Sequence, residues 1–235
     1  MDKKENKTTT DFSEKTVKST EKFLTKYYKL LIGIVAVIIV GLIVLAIVLN
    51  VISNKKEANY YALDNLTTAY SDITALDVTS TEYTDAVATF NSDADALIAS
   101  AKKSYPGYKA QYLKAALLAD DEKWADALVI YTDLIAQTKD IYLGPLAMLN
   151  AAVCAENAGD ADKALALYNQ IWDDYGNTTA VAPKALFNTG RLYESKNQID
   201  LAKAAYQQLV DEFQNPEKGT DTEYAKLAKN RLAAL

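Results

Sequence analysis

Asp120-Asp121 and Asp173-Asp174 are acidic pairs of the type that can hold a divalent cation or run acid–base chemistry. In each pair the carboxylates are adjacent, however, and adjacent side chains on a helix point about 100° apart, so neither pair converges on one ion or one substrate. Both pairs also fall in polar stretches that read as helix ends, where turns and solvated faces account for them. The sequence has no His. That removes the commonest general base and metal ligand, and makes Ser-His-Asp or Cys-His catalysis impossible. The one Cys, Cys154, cannot form an intrachain disulfide and reads as a small apolar packing residue on a helix. No catalytic group, metal site or cofactor is expected, and the protein is not expected to be an enzyme.

Charge narrows the partners. The chain carries 31 acidic and 25 basic residues, a formal charge of −6. Five of the acidic and ten of the basic residues precede Glu57, leaving the remainder with 26 acidic and 15 basic, a formal charge of −11. A domain this acidic is poorly suited to phosphate backbones, so no nucleic acid is expected.

Residues 30–49 read LLIGIVAVIIVGLIVLAIVL, and no charge appears over residues 30–54. As a helix the twenty apolar residues reach roughly 30 Å, the thickness of a bilayer's hydrocarbon core. A buried core helix of that length normally keeps a polar stripe. A cleaved signal would have a shorter apolar run, about 7–15 residues, and a short basic leader. No A-x-A and no lipid-accepting Cys follows, although Val51-Ile52-Ser53 is a weak small-residue site that keeps cleavage as the alternative. The expected organisation is a cytoplasmic tail over residues 1–29, disordered in its polar first ten residues, then a transmembrane helix over 30–52 that continues outward. Lys15, Lys18, Lys22, Lys26 and Lys29 precede the span, while only Lys55 and Lys56 follow it closely. The Lys excess places the N-terminus in the cytoplasm and the rest of the chain outside.

Beyond the span the chain is poor in Gly and Pro, and its apolar residues recur at three- and four-residue steps, as in helices. Three segments share an Ala, a Tyr four residues on and an aliphatic three residues after that: Ala127–Tyr131–Leu134, Ala164–Tyr168–Ile171 and Ala202–Tyr206–Leu209. The spacings are 37 and 38 residues. Each follows a short polar break at residues 120–122, 158–160 and 196–198. Twelve residues before each Ala stands a small residue, Ala115, Ala152 or Gly190. Small residues on two helices let the pair approach closely, and the Tyr is expected to fill the gap against the next pair. Pro106, Pro145 and Pro183 stand near the starts of the first helices, where a missing N–H costs little.

This pattern resembles the tetratricopeptide (TPR) repeat, a helix–turn–helix unit of about 34 residues. The fold implied is all-α: a single N-terminal transmembrane helix, an outward helix and degenerate helical unit over residues 53–104, three TPR-like helix pairs over 105–213, and a capping helix over 214–235. Tyr224, Leu227, Ala228 and Leu232 of that cap are expected to face the last pair, since a solenoid's terminal repeat must cover its apolar face. The residues expected to line the inner face, where a TPR stack holds peptides, are Lys109, Tyr112, Leu146, Leu149, Val153, Lys184, Phe187 and Arg191. The carboxylate clamp of chaperone-binding TPR domains is not matched. Tyr112, Ala116 and Asn188 stand where it needs Lys, Asn and Arg, although Asn150 and Lys184 fit.

With its Lys-bearing tail, single anchor and loose repeats, the chain resembles the YfgM-type family, ancillary subunits of the bacterial SecYEG translocon linked to periplasmic chaperones. The resemblance implies a protein-interaction scaffold in the bacterial inner membrane, with extracytoplasmic repeats and translocon subunits or chaperones as partners. An envelope-assembly or cell-division scaffold is the alternative, as is a cytosol-facing scaffold if the topology is inverted.

Overall fold

The computed structural model describes residues 5–214 and 222–235, with side chains from residue 14 onward. Among the described residues the fold is all-α, with helices α1 (Glu5–Ile73), α2 (Thr81–Ser100), α3 (Tyr105–Asp120), α4 (Trp124–Thr138), α5 (Leu143–Asn157), α6 (Ala161–Tyr175), α7 (Ala182–Ser195), α8 (Ile199–Phe213) and α9 (Glu223–Ala234). The chain divides into two compact parts, residues 1–57 and 58–235.

The first part is helical from Glu5 onward, including residues 5–10, where composition predicts disorder. Residues 1–4 of that stretch lie outside the described residues. The helix runs through the apolar segment, which lacks any internal Pro. That segment is long and apolar enough to cross a membrane, and its large side chains, Ile38 and Leu42 among them, are exposed.

The second part is a solenoid of antiparallel helix pairs. Pro106 and Pro183 occupy the first two positions of α3 and α7, where no intrahelical donor is lost. Ser80, Asp160 and Thr222 cap α2, α6 and α9 by accepting the backbone N–H of Tyr83, Lys163 and Ala225. The turns within the three pairs are one device repeated. Glu122, Gly159 and Asn197 take φ of 59°, 86° and 57°, and the next residue's N–H reaches back to Leu118, Ala155 and Tyr193 at 2.8, 2.9 and 2.9 Å. This is the left-handed helix ending that satisfies the last carbonyls.

The repeat register is the core register. Tyr131, Tyr168 and Tyr206 are each at most 1% exposed, and Leu134, Ile171 and Leu209 are fully buried. Burying each such aliphatic contributes about 1.5–3 kcal/mol. The expected packing of the Tyr needs one correction. A Cβ added to Gly190 would lie 2.5 Å from Cε1 of Tyr206, so this ring fills the space over the small residue of its own pair. Tyr131 does both jobs: it packs edge-on against Tyr112 of its own pair, and its hydroxyl accepts from Asn150 of the next, 3.3 Å away. Bidentate ion pairs brace neighbouring first helices at the surface. Arg191 forks onto both carboxylate oxygens of Glu156 at 2.7 Å, and Arg231 of α9 pairs with Glu194.

The terminal elements follow the same logic. Leu63, Leu66 and Ile73 of α1 share a core with Phe90, Ala94 and Leu97 of α2 and with Leu113 and Leu117 of α3. At the other end, Ala225 and Ala228 of α9 are buried, with Tyr224 and Leu232 packed beside the last pair. Leu227, expected on that face, is instead 39% exposed. On the helical wheel it lies off the stripe that joins residues 224, 225, 228 and 232. Residues 215–221, before α9, lie outside the described residues.

Candidate functional site

Three parallel helices frame a groove. The end of α1 runs alongside α3, since Tyr60 stacks on Tyr105 at the start of α3 and the Tyr70 hydroxyl donates to Asp120 Oδ2 at its end, 2.7 Å away. On the other side α5 keeps the same direction: Tyr142, just before α5, meets Tyr105, and Asn150 meets Tyr112. Between them lies a cavity of about 540 Å³, within the range of ordinary ligand sites. Its floor is one face of α3, from Lys109 through Tyr112, Leu113 and Ala116 to Asp120. Thr67 and Tyr70 of α1 form one wall, and Asn150, Val153 and Cys154 of α5 the other, with Trp124 and Tyr131 of α4 completing it.

The polar groups of this groove are held in place. The Asn150 amide Nδ2 donates to the Tyr112 hydroxyl at 2.7 Å. Lys109 is half-buried, with its Nζ 4.4 Å from the centroid of the Tyr112 ring, a cation–π arrangement. Burial lowers the pKa of Lys109 and raises that of Tyr112. Burial also raises Tyr70, and the Asp120 carboxylate beside it adds to the shift. The Cys154 thiol is pushed up to about 11 by burial, which keeps it protonated and unreactive at neutral pH.

Of the eight residues expected on the inner face, the structure brings Lys109, Tyr112 and Val153 together in this groove. The other five are elsewhere. Leu149 is 5% exposed and packs in the core. Leu146 lines a separate cavity of about 490 Å³ beside the α4–α5 loop. Phe187 sits between the rings of Tyr206 and Tyr224, at 5.6 and 5.8 Å. Arg191 is engaged by Glu156, and Lys184 is exposed on α7. Sequence reasoning missed Tyr70, Trp124 and the groove role of Asp120, and named Asn150 only as a fit to the carboxylate clamp. Asn150 was within reach, because Tyr112 and Asn150 are one repeat apart. Tyr70 was not, because nothing in its local spacing shows that α1 docks parallel to α3.

Three of the four carboxylates in the acidic pairs have partners within the fold. Asp120 receives Tyr70, and Asp121 accepts from the Tyr83 hydroxyl and from Lys123 Nζ. Asp174 accepts from Gln170 at 3.2 Å. Among the described residues no group of three acidic, thiol or imidazole side chains is placed to hold a metal.

Two stretches, residues 146–178 and 184–216, match the family model of the tetratricopeptide repeat. They coincide with the second and third helix pairs. No curated protein matches the chain in sequence. Among solved structures, a putative kinesin light chain with nearly identical TPR-like repeats from Podosopora anserina is similar, with a TM-score of 0.53, 11% identity, and coverage of 73% of this chain and 85% of that one. BtubC (BKLC) from P. vanneervenii gives a TM-score of 0.52 at 13% identity, covering 75% and 82%. The type III secretion translocator chaperone SycD from Yersinia enterocolitica is 17% identical over 56% of this chain and 92% of its own, with a TM-score of 0.47. The family match and the first two likenesses establish a TPR-like solenoid, a fold built for protein–protein interaction.

Proposed function

We propose that this TPR-repeat protein is a membrane-anchored scaffold whose groove along α3 receives a segment of a partner protein. The observation that carries the reading is the groove itself, an open cavity lined from α1, α3, α4 and α5 by aromatic and polar side chains held at fixed positions. Membrane attachment is supported by the apolar helix, whose side chains lie exposed where a soluble protein would cover them. An N-terminus in the cytoplasm and repeats outside are supported by the five Lys before the span. Within this reading the protein sits in a bacterial inner membrane and assists protein translocation or extracytoplasmic chaperoning. That assignment is supported by the shared architecture of a lysine-bearing tail, one span and loose repeats.

The test is crosslinking in intact cells, mild detergent solubilisation, affinity purification of the full chain and mass spectrometry. Enrichment of translocon subunits or exported chaperones is expected. Enrichment of cell-wall or outer-membrane assembly factors would replace the translocation role with an envelope role. Exclusively cytosolic partners would overturn the orientation.

A further inference from the structure

We propose that the groove selects an extended partner segment that carries an acidic side chain and, about five residues away, a basic one, the first seated on Lys109 and the second on Asp120. This deepens the reading of the groove as a partner-binding surface and rests on it.

Lys109 supplies the positive end of the groove. Among the described residues no carboxylate lies within 4.0 Å of its Nζ, whereas Lys114, Lys123, Arg191, Lys196 and Arg231 all have one. Its position over the Tyr112 ring withdraws it partly from water without giving it a counter-charge. A half-desolvated cation at the edge of a cavity favours an incoming anion. The other end of the groove has the opposite sign. Asp120 is exposed, lines the same cavity and is steadied by the Tyr70 hydroxyl. Between the two the lining of α3 is uncharged.

The spacing then sets the form of the ligand. Lys109 and Asp120 are eleven residues apart on α3, about 16 Å along its axis. An extended chain covers that distance in about five residues at roughly 3.3 Å each. A helical segment would need about eleven residues to set two charges the same distance apart, so a spacing of about five residues is that of an extended ligand. Overall charge does not oppose this ligand. A segment with one charge of each sign is neutral, so the −11 field of the acidic remainder of the chain neither repels nor captures it, and discrimination rests on the two local contacts.

The experiment uses the full chain in detergent micelles and four fluorescent, N-acetylated and C-amidated peptides. They share an uncharged backbone and place Glu or Gln at one position and Lys or Gln five residues on. Binding is read by fluorescence anisotropy. The Glu/Lys peptide is expected to bind about tenfold tighter than the Gln/Gln peptide. Lys109→Gln should erase the preference for Glu and leave that for Lys, and Lys109→Arg should retain both. Asp120→Asn, which still accepts the Tyr70 hydroxyl, should erase only the preference for Lys. Each variant's retained preference shows that its groove is folded. Equal binding of all four peptides, or preferences unchanged by the substitutions, would overturn the charge assignment while leaving the groove as a peptide site. If no peptide binds, the groove is not a peptide site and both readings fall.

Discussion

At Gly190 the absent Cβ makes room for the Tyr206 ring, and the same register places Ala152 and Ala115 one and two repeats earlier. Gly190→Ala should therefore cost about 1–3 kcal/mol through overpacking, read as a lower Tm by circular dichroism. Glu122 shows the reverse case. It holds a φ of 59° where the equivalent turns use Gly159 and Asn197, residues that tolerate the left-handed region. Glu122→Asn should raise stability by up to about 1 kcal/mol in denaturant melts. The buried tyrosines set the alkaline limit. Burial raises the pKa of Tyr131, Tyr168 and Tyr206, so the folded state favours their neutral forms. That stability is fully present below the ordinary tyrosine pKa of about 10 and is lost as pH rises above it. Tyrosinate absorbance from these rings should appear together with loss of helicity; their ionisation in a still-folded chain would contradict the assignment. These Tyr and small residues were legible in the sequence because their 37- and 38-residue spacing is a steric repeat. Leu149 and Leu227 were not, since about 100° of rotation separates one residue from the next on a helix and hydrophobicity alone does not say which way a helix is rotated.

Phe187 links three elements, α7, α8 and α9, through the rings of Tyr206 and Tyr224. It was expected in the groove, yet its packing makes it part of the C-terminal core. Phe187→Glu should thus lower Tm by placing an unpaired charge against buried rings, at a cost of about 2–3 kcal/mol. Loss of partner binding with an unchanged Tm would return Phe187 to the binding surface. The helix pairs and their polar turns followed from periodicity and from the breaks at residues 120–122, 158–160 and 196–198. The groove did not follow, because it depends on α1 ending as a first helix beside α3. That arrangement is fixed by Leu63, Leu66 and Ile73 entering the core of α2 and α3, a tertiary contact with no local signature.

For the whole molecule, the proposed scaffold role assigns attachment to the apolar helix and recognition to the acidic solenoid. Topology is accessible through thiol chemistry, since native Cys154 is buried and Val129 is 61% exposed. A membrane-impermeant maleimide applied to intact cells with a permeable outer layer should label Val129→Cys and leave the parent chain unlabelled. Labelling only after lysis would invert the orientation. The most direct test of the central claim is site-specific photocrosslinking in cells, with the crosslinker at Val153 in the groove or at Val129 on the exposed face of α4. A discrete partner adduct is expected from Val153, absent from Val129 and lost on substitution of Trp124. Equal adducts from both positions, or adducts only from Val129, would contradict the claim, because the partner would then be held by a surface other than the groove.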